Sequence, residues 1–259
     1  AINDLNIRTI SGNVRFDVAS DYAEIAPFGG LALGSVALNA TMAGRAISFL
    51  KAGSGANPLI IAYAGGAGNP STNNADGIFS LRGIDNVSID QIDLIDNNTV
   101  GFSTMEYGYG LFKLNASGID GARNNSISNC NITLKRSNNG SPGAGMFEGS
   151  TGILVINAIA TAVVTPLGAP ASAAGTNSNN KFYGNIISNV NNGIGLSGYL
   201  DSSPFTLGDN NNDIGGSTAS TGNQILNFGG GGTQQAAGVR ALNQWGVNIS
   251  FNTINNNTG

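Results

Sequence analysis

The chain contains no histidine. That removes Ser-His-Asp and Cys-His catalysis, imidazole general bases and histidine-ligated zinc at once. The remaining chemistry-bearing residues are sparse. Lys and Arg total 11, Asp and Glu total 15, and charged residues make up only 10% of 259 residues. Any site that needs several converging charges would therefore have to draw heavily on this small supply. The longest basic run is Lys135-Arg136, too short for the basic stripe of a nucleic-acid binder. The single cysteine, Cys130, cannot form an internal disulfide and reads as a small buried apolar residue.

The densest run of oxygen donors is Asp209-Asn210-Asn211-Asn212-Asp213-Ile214-Gly215. Donors at the alternate positions Asp209, Asn211 and Asp213, followed by glycine, suit a hard cation such as calcium. The glycine falls one place later than in a helix-loop-helix calcium loop, and no Glu follows at the right distance. A loop rich in Asx turns, held by its own side chains, gives the same pattern, so both readings stand. Tyr107, Tyr109 and Trp245 are candidates for stacking on sugar rings, against the alternative that isolated aromatics pack or anchor loops. Gly229-Gly230-Gly231-Gly232 lacks the Lys and the strand–helix setting of a phosphate loop and reads as a flexible corner.

These residues must be positioned by a repeat. Five segments open with Gly and an aliphatic residue: Gly77-Ile78, Gly110-Leu111, Gly152-Ile153, Gly193-Ile194 and Gly238-Val239. Three residues after the aliphatic stand Leu81, Leu114, Ile156, Ser197 and Leu242. A second pattern follows in each segment, starting at Ile89, Ile127, Phe182, Ile225 or Ile249. It continues three residues on at Ile92, Cys130, Asn185, Phe228 and Asn252. It closes at Leu94, Ile132, Ile187, Gly230 and Ile254. Apolar spacings of two and three, broken by Asn and Gly, predict short strands joined by tight corners rather than helices. One coil cannot bury its own inner face, so stacked coils bury it on each other, in ladders about 4.8 Å per step.

Longer stretches fall at two corners, 157–181 and 198–224 at one and 95–109 and 133–151 at the other, as a solenoid tolerates. The first 76 residues are less regular. Asn13–Val18, Ser35–Asn39, Ala46–Phe49 and Pro58–Tyr63 read as early strands, and Ala1–Asn6 as a helical stub capping the open coil. The expectation is an all-β, right-handed parallel β-helix forming one domain over 1–259. Its coils would be irregular over 1–76, five would be recognisable over 77–259, and the natural chain would continue past Gly259.

Asp85-Asn86-Val87-Ser88-Ile89-Asp90-Gln91-Ile92, Asn180-Lys181-Phe182-Tyr183-Gly184-Asn185-Ile186-Ile187 and Asn248-Ile249-Ser250-Phe251-Asn252-Thr253-Ile254 resemble coils of the pectin-lyase-like superfamily. Asp213-Ile214-Gly215-Gly216, followed by Gly222-Asn223-Gln224-Ile225, resembles the Ile-Gly-Gly coils of bacterial β-helix proteins. The whole chain is similar to Asn-rich stretches of large exported surface proteins of Bacteroidetes bacteria. The likeness covers nearly everything from residue 46 onward. It speaks to fold more than function, because one fold hosts many activities.

For polygalacturonase-like hydrolases the resemblance implies paired acids with a His, and this chain has no His and no such pair. For pectate-lyase-like enzymes it implies an acidic calcium cluster and an Arg or Lys base. The nearest set is Asp90, Asp93 and Asp96 with Lys135 and Arg136 one coil later, against the alternative of solvated surface charge. Asp90 and Asp93 are expected to face outward, since Ile89, Ile92 and Leu94 take the inward slots. The leading expectation is a non-enzymatic structural or adhesive module of a secreted or cell-surface bacterial protein. The alternative is a lyase or binding module for acidic or plant-type polysaccharide. No cofactor other than calcium is expected. The expected partners are a polysaccharide or other surface ligand and weak end-to-end contacts with other copies. Nucleic acid is not expected, nor membrane insertion, since no apolar run reaches about 18 residues.

Overall fold

The computed structural model describes residues 1–63, 76–98, 105–136, 149–161, 167–229 and 236–256. Within them the chain winds as a right-handed parallel β-helix with three sheets. The first sheet stacks β1 (Val14–Ala19), β4 (Ile47–Ala52), β7 (Val87–Asp90), β10 (Ser126–Ser128), β13 (Lys181–Tyr183), β17 (Asp213–Ile214) and β21 (Asn248–Ile249). The second stacks β2 (Ala23–Ile25), β5 (Leu59–Ile61), β8 (Asp93–Ile95), β11 (Asn131–Thr133), β14 (Ile186–Val190), β18 (Gln224–Phe228) and β22 (Thr253–Asn255). The third stacks β3 (Leu31–Leu33), β6 (Asp76–Arg82), β9 (Met105–Lys113), β12 (Thr151–Ile159), β15 (Asn192–Ser197) and β19 (Ala237–Leu242). A small lateral pairing joins β16 (Asp209–Asn210) to β20 (Gln244–Trp245).

Inward side chains form ladders. Phe16, Phe49, Ile89, Ile127, Phe182, Ile214 and Ile249 stack through the first sheet. Ile60, Leu94, Ile132, Ile187, Ile225 and Ile254 stack through the second. The early coils add rings: Phe16 lies on Phe49 with centroids 4.8 Å apart, and Phe49 meets Phe79 edge-on at 5.9 Å. Burying such ladders supplies the driving force, because the apolar area removed from water grows with every coil added.

The abundant asparagines fill two different roles. Asn86, Asn124, Asn179 and Asn211 sit at successive corners with φ of 59°, 56°, 60° and 54°, a left-handed conformation that Asn tolerates better than most residues. Their sequence neighbours point inward instead. Val87 N donates to Asn125 Oδ1 at 2.8 Å, Asn125 N to Asn180 Oδ1 at 3.1 Å, and Asn180 N to Asn212 Oδ1 at 2.9 Å. A second internal amide ladder runs from Cys130 N to Asn185 Oδ1 (3.1 Å), from Asn185 N to Asn223 Oδ1 (3.0 Å) and from Asn223 N to Asn252 Oδ1 (3.0 Å). Tight corners leave backbone N–H groups facing the interior, and these side-chain oxygens satisfy them.

Several sequence-derived registers are corrected. Ile225 belongs to the second sheet, and Ile214 takes its place in the first. Asn223, not Phe228, holds the corner position between Asn185 and Asn252. Gly230 lies outside the described residues. The cause is a third insertion, 215–222, opening at Gly215 and Gly216 with φ of 104° and 70°. It splits one coil, so that Asn223-Gln224-Ile225 mimics the start of the next.

In the third sheet Gly152, Gly193 and Gly238 stack as expected, but Gly110 pairs with Ser80 and Leu154, and Gly77 with Tyr107. Along β6, β9 and β12 both faces are buried. Phe79 and Tyr109 point inward, while Tyr107, Phe112, Leu154 and Ile156 form a separate apolar cluster. Without a solvated face the two-residue alternation that sets register disappears. Ser35–Asn39 is not a strand: Val36–Asn39 forms a short helix, α2, because Ser35 Oγ accepts from Leu38 N at 3.1 Å and caps it. The stub at Ile2–Asn6 is helical (α1) and lies against β3.

Candidate functional site

The second sheet delivers three of the expected charged residues to one corner. Asp96 follows β8 directly, and Lys135 and Arg136 follow β11 by way of buried Leu134. Parallel pairing sets Ile95 beside Thr133, and Asp96 N donates to Thr133 O at 2.8 Å. The next two coils present Asn189 and Asn227 at the same corner, both left-handed with φ of 54° and 50°. These residues line a cleft of about 380 Å³. Arg136 Nη1 donates to Asn227 Oδ1 at 2.6 Å, and Asn227 Nδ2 donates in turn to Asn189 Oδ1.

Asp96 is 2% exposed. Its Oδ1 accepts from Asn98 N at 3.0 Å, while Oδ2 has no hydrogen-bond partner. Burial raises its carboxyl above the ordinary range, and the hydrogen bond from Asn98 and the nearby Lys135 charge only partly oppose this. Asp96 Oδ2 is thus an unpaired acceptor sealed at the base of the cleft, near the Lys135 ammonium, with the Arg136 guanidinium tethered at the cleft's edge.

Asp90 and Asp93 do not join this cleft. The left-handed Gln91 (φ 58°) turns the chain between them, leaving Asp90 on the first sheet and Asp93 on the second. Asp90 Oδ1 accepts from Ser128 Oγ and Asn129 Nδ2, both at 2.7 Å. Asp93 accepts from Asn131 N and Nδ2 at 2.8 Å and from Asn57 Nδ2 at 2.9 Å. Both carboxylates are thus occupied in bonding adjacent coils.

The calcium-like run is divided between inside and outside. Asp209 is fully buried: its Oδ1 accepts from Asn177 N at 2.8 Å and lies 3.9 Å from Lys113 Nζ. Asn211 is a left-handed corner residue. Asp213 faces outward, its Oδ2 accepting from the Tyr183 hydroxyl at 2.6 Å and its Oδ1 from Gly216 N and Asn248 Nδ2. Among the described residues no group of three or more Asp, Glu, His or Cys side chains is arranged to hold a metal.

Neither tyrosine presents a stacking face. Tyr107 and Tyr109 are 1% and 0% exposed, and the Tyr109 hydroxyl donates to Ile92 O at 2.8 Å. Both lie on β9, whose side chains are buried on both faces. Trp245 remains half-buried, tilted 31° against Phe205 with centroids 5.4 Å apart. Cys130 is buried in the core, its thiol pushed up to about 12 mainly by burial.

Sequence reasoning missed Asn189, Asn227 and Phe205. The two asparagines carry a signal, since each stands at a recurring corner. Phe205 carries none, because only the path of the 198–208 insertion brings it onto Trp245. Compared against known protein families, curated proteins and solved structures, the chain matches none. Among the described residues no helix is long and apolar enough to cross a membrane.

Proposed function

We propose that this chain is a structural and adhesive module, a stiff β-helical segment of a large exported bacterial surface protein. In this reading it is related to the pectin-lyase-like superfamily and to the Asn-rich Bacteroidetes proteins it resembles. The observation that carries the reading is the pair of internal amide ladders, Asn125–Asn180–Asn212 and Asn185–Asn223–Asn252. They fix each coil on the next through bonds that resist bending and shear, as suits a spacer. Most candidate catalytic carboxylates serve the same end: Asp90 and Asp93 bond the following coil.

A second reading, polysaccharide binding or cleavage, is favoured by one feature, the cleft that gathers Lys135 and Arg136 over the buried Asp96 carboxyl. The test is incubation of the purified chain with polygalacturonate and alginate, with and without calcium. We expect no unsaturated product absorbing in the ultraviolet. Product formation that disappears in Lys135→Ala or Arg136→Ala would establish a lyase and overturn the non-enzymatic reading.

A further inference from the structure

Among the described residues Lys113 is the only buried cation. It ends β9, and its side chain and that of Asp209 are both 0% exposed. The two are far apart in sequence, Lys113 in the third coil and Asp209 in the lateral strand β16. A lone lysine sealed inside a solenoid this poor in charge calls for a physical account, since burying an ion pair costs more than it returns unless its hydrogen bonds are complete.

Those bonds are incomplete for an ion pair. An ammonium has three N–H donors. Lys113 Nζ makes one hydrogen bond, to Gly175 O, and its 3.9 Å separation from Asp209 Oδ1 is too long for another. On the acid, Oδ1 accepts from Asn177 N at 2.8 Å, while Oδ2 has only a 3.5 Å contact from Gln244 Nε2. A secondary amide has one N–H and one oxygen. Gly175 O and Asn177 N are the two partners it would require.

We propose that Lys113 and Asp209 become joined in the folded protein as an intramolecular isopeptide. The Lys113 Nζ lone pair attacks Asp209 Cγ and the N–C bond forms. The Cγ–Oδ2 bond breaks, and that oxygen leaves as water, carrying the carboxyl proton and one proton from the amine. Oδ1 stays as the amide oxygen, and the remaining N–H keeps Gly175 O. No oxidant, reductant or co-reactant enters.

The setting supports the step. The Asn177 N–H already points at Oδ1, where negative charge develops during attack. Lys113 Nζ stands 3.9 Å from Asp209 Oδ1, on the same carboxyl whose Cγ it must reach, and the flexible lysine stem has to carry it from there to the roughly 3–3.5 Å of a near-attack geometry at Cγ. Burial lowers the Lys113 amine to about 8, against weaker support from Asp209, and burial likewise raises the Asp209 carboxyl. Both shifts favour a neutral amine facing a neutral acid, the pair that condenses. The resulting bond would tie the third coil to the strand leading into the sixth, holding the rod together when its coils are pulled apart.

The test is an intact-mass measurement of the full chain under denaturing conditions after folding. We expect a mass short of the sequence mass by one water, and a protease digest containing a branched peptide that joins Lys113 to Asp209. Lys113→Met should restore the full mass. Asp209→Asn should give the same branched peptide with loss of ammonia instead. Chain recovered in urea from inclusion bodies, before it has folded, should keep its full mass. A folded chain of full sequence mass would overturn the proposal. So would a water deficit mapped to a succinimide at Asp76-Gly77 or Asp120-Gly121. The first readout needs no variant, so a substitution that fails to fold leaves the answer intact.

Discussion

Replacing Asn185 by alanine separates the interior asparagines from the corner ones. Asn185 is fully buried. Its Oδ1 accepts from Cys130 N at 3.1 Å, and its Nδ2 donates to Ile127 O at 2.9 Å and to Asn223 Oδ1 at 3.0 Å. Alanine removes all three bonds. Asn223 Oδ1 keeps the backbone N–H of residue 185, but Cys130 N–H is left in the core without an acceptor. An orphaned buried donor costs about 1–3 kcal/mol, and the two weakened acceptors add about 1 kcal/mol each at most. The expected loss is therefore about 1–5 kcal/mol.

The matching control is Asn129→Gly. Asn129 is exposed with φ of 55°, and the equivalent position in the next coil is already Gly184 at φ 62°. Glycine keeps the corner geometry and forfeits only the 2.7 Å bond to Asp90, so the change should stay within about 1 kcal/mol. Urea unfolding followed by the fluorescence of the single tryptophan, Trp245, reads both variants. An Asn185→Ala protein as stable as the parent, or an Asn129→Gly protein equally damaged, would refute the division of roles.

Three further outcomes are expected. Ile127→Asp should cost about 3 kcal/mol or more in the same unfolding measurement, because Ile127 is 0% exposed between Ile89 and Phe182; a stable variant would reject that ladder. Glu106 is buried with its carboxyl raised by desolvation from 4.5 to about 9, so the folded state holds a proton that the unfolded state releases between those values. Stability should fall as pH rises through that window, and Glu106→Gln should flatten the slope of melting temperature against pH; an unchanged slope would remove Glu106 as its source. Leu242, Ile249, Phe251 and Ile254 are 40%, 46%, 55% and 47% exposed on the last described coil, so concentrated protein should show weak association by light scattering, suppressed by Ile249→Lys with Ile254→Lys. A strict monomer at high concentration would count against it.

The cleft was partly legible. The pectate-lyase-like resemblance points to Asp96, Lys135 and Arg136, and the structure gathers them because β8 and β11 end side by side at one corner. The same resemblance points to Asp90 and Asp93, yet the turn at Gln91 sends them to different sheets. Near-neighbours in sequence part company wherever a left-handed residue turns a coil, and one-dimensional spacing does not mark that turn. The calcium-like run failed as a unit for a related reason: Asp209 faces inward to Lys113 and Asp213 outward to Tyr183.

Residue order alone determined the solenoid, because stacking makes one physical demand on every coil. Inward positions must be apolar or amide-bearing, and corners must tolerate tight turns, so the pattern survives insertions and shows in the sequence. Tertiary structure decided what that pattern leaves free. It set the register of β9 and β12, where burial on both faces erases the alternation, and it split the coil at Gly215-Gly216. It also brought Lys113 to Asp209 and Phe205 to Trp245, since contacts between insertions depend on loop paths that no local repeat encodes.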